Sequence, residues 1–182
     1  MQRSERSAGP DHPVGRLLVE SGKAAIYELI LTPERSRWLW EQMQRYPTLF
    51  SDQTRDDPDN LWAVLASPQA MWGELWESGK LVGVLYLSEI QANIDAKVHV
   101  IFFDRNLTAR TEICRAAMRW AFATFHFHRL TITVPEIYFS TTRLAKRLGF
   151  VREGLRRDAY LIGGKRVNEL LFGLLASEMQ DG

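Results

Sequence analysis

"RLAKRLGFVREGLRRDAYLIGGKRVNELLFGLL", Arg143 to Leu175, carries its own punctuation. Gly149 closes a run with helical spacing and suits the left-handed position that ends a helix, with Phe150 placed to pack back on the last turn. After it, "FVREGLRRDAYLI" and "VNELLFGLL" flank "GGKR", a Gly-Gly hairpin signal. The stretch reads as a helix feeding two antiparallel strands. Immediately upstream, "HRLTITVPE" alternates as a half-buried strand does, and "FSTTR" opens the helix.

Towards the N-terminus, "IFFDRNLTARTEICRAAMRWAF", Ile101 to Phe122, reads as a buried strand, a polar turn and a helix with its apolar positions on one face. Such a turn aims the free amides of a helix N-terminus beyond the end of the strand, an arrangement suited to an anion. Yet "DRNLTAR" contains no glycine, which leaves a phosphate cradle and a plain connection both open. Farther upstream, "DAKVHVIFFD" is a strand, and "LWAVLASPQAMWGELWESGKLVGVLYLSEI" holds a short helix and two strands meeting at "ESGK". Before these, "SDQTRDDPDN" is a polar loop, and "AAIYELILTPERSRWLWEQMQ" gives a strand to about Leu31, then a helix start at Thr32-Pro33-Glu34. Residues 1 to 15 read as a flexible arm and 16 to 182 as one domain. The order, β-α-(α)-β-β-β-α-β-α-β-β, describes an α/β domain with a mixed sheet ending in a hairpin.

The composition fits that reading. With 46% hydrophobic and 11% aromatic residues in 182, the chain can bury a sizeable core, and its formal net charge of +1 excludes a generally polybasic protein. Charge is uneven, however. Arg143, Lys146, Arg147, Arg152, Arg156, Arg157, Lys165 and Arg166 stand against only Glu153 and Asp158, an excess that suits a phosphorylated ligand, a nucleic acid or a solvated face. The single Cys114, set among apolar residues, excludes an internal disulfide and any cysteine zinc site and suggests a reducing compartment. No segment reads as a signal peptide or membrane span, so the expectation is a soluble, cytoplasmic protein without a membrane partner. His126 and His128 flank Phe127 without partners spaced for a metal, and no metal is expected.

The strand "HRLTITVPE" and the run from Arg143 to Leu175 together resemble the Gcn5-related N-acetyltransferase (GNAT) superfamily, most of all its ribosomal-protein-alanine acetyltransferase-like branch. In that branch a helix ending in "KLGF" precedes "xxEGxxRDxxxxxGxxxDxxxxGLL". Here Leu148, Gly149, Phe150, Glu153, Gly154, Arg157, Asp158, Gly164, Gly173, Leu174 and Leu175 fall in register, and the likeness runs from about Ala24 to Glu178. It implies a mostly antiparallel sheet of six to seven strands flanked by helices and splayed between two central parallel strands. It also implies acetyl-CoA as co-substrate, bound along Ile101, Phe102 and Phe103. The pyrophosphate would lie on Arg105, Asn106, Leu107, Thr108, Ala109, Arg110 and Thr111, with Thr141 contributing from the later helix. The usual glycine and small positions of that turn are Thr108 and Arg110 in this chain. Thr108 would cap the helix, and Arg110 would either bond a phosphate or fill its space.

Acyl transfer from a thioester to an amine needs a deprotonated amine, stabilisation of the oxyanion, and a proton for the departing thiolate. A strand amide near Phe102 would serve the oxyanion. For proton removal the resemblance points to Asp95; His99 lies four residues along on the same face, and Glu89 ends the adjoining strand. Ala145 occupies the position where many relatives carry a tyrosine acid, and Tyr138 is a candidate substitute. Each has a purely structural alternative. Trp62, Trp72 and Trp76 either line an acceptor pocket or fill the core. The expected activity is transfer of an acetyl group from acetyl-CoA to a primary amine, on a protein N-terminus or a small molecule. A degenerate binding module of the same fold and a phage-type acyltransferase acting on nucleic acid are the alternatives, and a homodimer is a further option.

Overall fold

The computed structural model describes residues 12–44, 66–103 and 109–179. Among them eight strands form one sheet in the order β1-β2-β3-β4-β5-β6-β8-β7. They are β1 (Leu17–Ser21), β2 (Ala24–Glu28), β3 (Met71–Glu77), β4 (Lys80–Gln91), β5 (Asp95–Phe102), β6 (Arg129–Pro135), β7 (Val151–Ile162) and β8 (Lys165–Leu175). Every neighbouring pair is antiparallel except β5 and β6. The expected mixed, mostly antiparallel α/β sheet is present, with one strand more than the six to seven anticipated. That strand is β1, whose five residues include a single buried side chain, Val19, and so give little periodicity to read.

Three helices are described: α1 (Pro33–Gln44), α2 (Arg110–Phe125) and α3 (Phe139–Arg147). The start of α1 follows from Thr32-Pro33: the Thr32 hydroxyl accepts from Arg35 N–H at 3.2 Å, and Pro33 fills a first-turn position that needs no donor. The strand expected to reach Leu31 ends at Glu28, just ahead of this cap. Leu39 and Met43 are buried against Leu29, Trp72 and Val84, which fixes α1 on one face of the sheet. A buried ion pair ties it there. Glu74, 1% exposed in the middle of β3, accepts from Arg35 Nη2 at 2.7 Å and from Trp76 Nε1 at 3.1 Å. The short helix expected before β3, and Trp62 within it, lie mostly outside the described residues.

The opposite face carries α2 and α3. Met118 and Ala121 of α2 and Ala145 of α3 meet Ala96, Leu130, Val134, Leu170, Phe172 and Leu174, the apolar halves of β5, β6 and β8. Gly149 stops α3 in the left-handed conformation (φ 97°), as its place in the sequence requires, and Phe150 is buried beneath it. Alternation then sends Asp95, Lys97, His99, Arg129, Thr131, Thr133 and Glu169 to the face shared with α1.

Candidate active site

The parallel pair β5–β6 determines the site. Its register runs only through Asp95↔Arg129, Ala96↔Leu130 and Lys97↔Thr131. β5 nonetheless continues to Phe102 and β6 to Pro135, so beyond Lys97 the two strands diverge with no strand partner between them among the described residues. A cleft of about 400 Å³ occupies the gap. Val98, Val100, Ile132, Leu144 and Ala145 line it from the helix side of the sheet, and Tyr86, His99, Thr133 and Tyr160 from the side of α1. It therefore passes through the sheet from one face to the other. Its lining is neutral and mainly apolar, while its walls include the facing backbone edges of β5 and β6, no longer paired with each other.

At one end stands the N-terminus of α2. Its cap position falls on Ala109, which has no side-chain acceptor of its own. The capping role expected of Thr108 falls outside the described residues. Arg105, Asn106, Leu107 and Thr108 themselves lie outside the described residues. The Arg110 guanidinium lies over the Phe102 ring, 4.9 Å from its centroid, and Thr111 is half-buried in the same turn. Of the other residues expected to meet the cofactor, Ile101 and Thr141 line the cleft. Phe103 packs edge-on against Trp38 at 5.9 Å and donates its N–H to Val82 O at 2.7 Å, which occupies that amide.

The four acid–base candidates separate. His99 and Tyr138 line the cleft; Asp95 and Glu89 do not. His99 is the third ring of a stack running across β3, β4 and β5: Trp72 on Tyr86 at 3.8 Å, and Tyr86 on His99 at 4.1 Å. Its Nε2 shares a 2.8 Å hydrogen bond with Ser88 Oγ. Burial, reinforced by Lys97, pulls its pKa down from 6.5 to about 4, so the ring is neutral near pH 7. Tyr138 holds the N-cap position of α3 without a side-chain cap bond and donates its N–H to Pro135 O at 2.9 Å. Asp95 sits where β5 and β6 are still paired, accepting from Thr131 Oγ1 at 2.7 Å and facing Arg129 at 3.6 Å. Arg129 in turn reaches Glu153 at 2.7 Å. Glu89 is exposed, in a left-handed conformation (φ 51°), and is held by Lys97 Nζ at 2.6 Å.

Sequence reasoning did not single out Tyr160 or Glu169. Tyr160 lines the cleft from β7, and its hydroxyl donates to Glu169 Oε1 at 2.7 Å; Glu169 is 3% exposed, and its Oε2 accepts from Arg156 Nη1 at 2.6 Å. A signal for Glu169 was present: a lone carboxylate within the apolar run "VNELLFGLL" must be paired if that run is buried. Nothing local marked Tyr160, whose position depends on an irregularity of β7. Arg156 pairs with Glu169 and Tyr160 with Val167, so three residues on β7 stand opposite one on β8. Asp158 sits in that bulge with φ 52°, its N–H donating to Asn168 Oδ1 at 3.1 Å.

No family model matches the sequence, and no curated protein matches it. Solved structures do match. The spermidine N-acetyltransferase from Vibrio cholerae, in complex with CoA and spermine, superposes with a TM-score of 0.74 over 87% of this chain and 99% of its own, at 15% identity. The ribosomal L7/L12 alpha-N-protein acetyltransferase RimL, in complex with coenzyme A, gives 0.73 over 88% and 98%, at 13% identity. A probable acetyltransferase gives 0.70 over 87% and 96%, at 20% identity. The fold is the GNAT fold. Within that fold the parted parallel strands, the helix N-terminus beside them and the trans-sheet cleft are this chain's own, read from its own register.

No described helix is long and apolar enough to cross a membrane. Among the described residues no three His, Cys, Asp or Glu side chains are grouped to hold a metal.

Proposed function

We propose that this protein is an N-acetyltransferase that transfers the acetyl group of acetyl-CoA to a primary amine by direct attack. The observation that carries this is the loss of β5–β6 pairing beyond Lys97, which opens a neutral cleft through the sheet of a GNAT fold. The residues present suit acetyl-CoA. Apolar walls from α2 and α3 accommodate a long uncharged arm, and strand backbone without a partner offers hydrogen bonds along it. The N-terminal first turn of α2 favours an anion, with Arg110 in that turn.

Acetyl-CoA, when bound, supplies the activated acyl group. This chain supplies position and electrostatics. Backbone N–H groups on the freed edge of β5 are placed to stabilise negative charge on the acyl oxygen without any special side chain. The amine enters from the α1 face, where Tyr86, His99, Thr133 and Tyr160 form the polar mouth. Asp95 and Glu89 are engaged in ion pairs outside the cleft, so proton movement falls to the groups lining it.

Isothermal titration with acetyl-CoA and with CoA tests the reading. Binding in the micromolar range, about −8 kcal/mol, is expected, followed by thiol release on adding spermidine or a short peptide with a free α-amino group. A folded sample that gives no heat with either ligand overturns it. Ala145 at the usual tyrosine position favours one alternative, a binding module, which binding without turnover on any amine would identify.

A further inference from the structure

We propose that Tyr160 is the catalytic proton carrier of this cleft, with Glu169 as its positioning partner and temporary proton store. The inference rests on the acetyl-transfer reading and gives that site its acid–base groups.

Three observations support it. Tyr160 stands in the cleft wall, and its hydroxyl proton is already directed at a carboxylate, Glu169 Oε1 at 2.7 Å. Glu169 is buried on a central strand and held from its other oxygen by Arg156, so the carboxylate has a fixed orientation. Thr133 and Tyr86 line the same mouth, and burial, then Tyr160, raises the Tyr86 phenol. The tyrosine oxygen is thus positioned from β8 while its ring belongs to β7. Burial, then the bond to Glu169, pushes the Tyr160 phenol up to about 12, so it carries its proton at neutral pH.

The remaining groups at the mouth are poorly placed for this task. His99 is committed through Nε2 to Ser88 and stacked on Tyr86, and it holds a second proton only below about pH 4. Tyr86 lies between two rings. The proposed transfer balances within the pair. As the amine nitrogen bonds to the acyl carbon, one of its protons moves to Tyr160 Oη while the proton already on Oη moves to Glu169 Oε1. As the carbon–sulfur bond breaks and its electron pair leaves with sulfur, Glu169 returns its proton to Oη, and Oη gives one to sulfur. One proton has moved from nitrogen to sulfur, and both side chains are restored. No second acid is required at the Ala145 position.

The test uses Tyr160→Phe and Glu169→Gln, both close in volume to the originals, in the full-length protein with acetyl-CoA and either spermidine or a tetrapeptide bearing a free α-amino group. Melting temperature and acetyl-CoA affinity by titration report folding and cofactor binding; kcat and amine KM come from thiol release. The expected result is affinity within about threefold of wild type in both variants, with kcat lowered about 100-fold or more and amine KM changed by less than about threefold. A merely structural pair would lower the melting temperature or raise KM and leave kcat. If wild type turns over and Tyr160→Phe keeps kcat within about threefold, the carrier is overturned while acetyl transfer stands. If Glu169→Gln alone keeps kcat, the proton store is overturned. If wild type binds acetyl-CoA but acetylates neither amine, the acetyl-transfer reading and the relay fall together.

Discussion

The two ends of the β5–β6 pair are built from opposite materials. At the closed end, three residue pairs stay in register, and charged side chains cross the sheet from Asp95 through Arg129 to Glu153. At the open end the backbones diverge, and the side chains facing the gap are neutral: Tyr86, His99, Thr133, Tyr160 and aliphatic residues. Glu169 carries charge there, but it sits behind Tyr160 and is paired with Arg156. The Asp95–Arg129–Glu153 cross-links occupy the part where β5 and β6 are paired, and beyond it the groups lining the opening are neutral. A ligand entering the open end meets hydrogen-bonding groups without having to displace an ion pair.

The largest expected contrast comes from making the same deletion at both ends. Leu174→Ala removes a side chain 1% exposed, packed near Gly149 behind the closed end, and should cost about 3 kcal/mol in urea unfolding. Leu144→Ala borders the existing cleft and should cost about 1 kcal/mol, because less new void is created. Equal losses would mean the cleft is packed as tightly as the core.

Next is acid sensitivity at the open end. In the unfolded chain His99 takes up a proton near pH 6.5, but in the fold only near pH 4. Between those values the unfolded state binds more protons, so this contribution is complete above about pH 7 and is lost as the pH falls towards 4. At pH 5 the loss should be about 2 kcal/mol. His99→Phe keeps a ring against Tyr86 and removes the titration, so its drop in stability between pH 7.5 and pH 5 should be smaller than that of wild type by this amount. Lys97, Glu89 and Ser88 are the neighbours whose contributions the comparison holds constant.

A smaller effect is expected at the closed end. Arg129→Ala breaks the Asp95–Arg129–Glu153 ladder, whose members are partly exposed, and should cost about 1 kcal/mol, shrinking in 1 M salt. A salt-independent loss would show that Arg129 acts through packing. The smallest is Arg110→Ala, which should weaken CoA binding about fivefold by titration, the scale of one partly screened charge near a phosphate. Unchanged affinity would leave the helix end alone to hold the anion.

The sequence displayed much of this architecture where single residues set the backbone. The hairpin at "GGKR" follows from Gly163 and Gly164, whose φ values are 58° and 73°. "ESGK" occurs twice, at Glu20–Lys23 and Glu77–Lys80, and turns a hairpin both times, with Gly22 and Gly79 at φ 60° and 76°. Only the second was read as a turn, because "RLLVE" before the first lacks the alternation that "MWGELWE" and "KLVGVLYL" give to the second. The site was less legible. Asp95 and His99 share a strand face, but which of them reaches the cleft depends on where β6 stops pairing, a property of two segments at once. Tyr160 required more still: the register of β7 on β8, the bulge between them, and the carboxylate of Glu169 on the neighbouring strand.

That bulge makes chain length a control on chemistry. Between Arg156 and Tyr160 the strand carries two residues more than its partner. Removing both would leave every later side chain of β7 on its present side. Removing one would turn Tyr160 away from the opening and bring a neighbour inward, with the hairpin and the core beneath it intact. A single codon lost or gained around Asp158 would therefore change the group at the mouth without rebuilding the sheet.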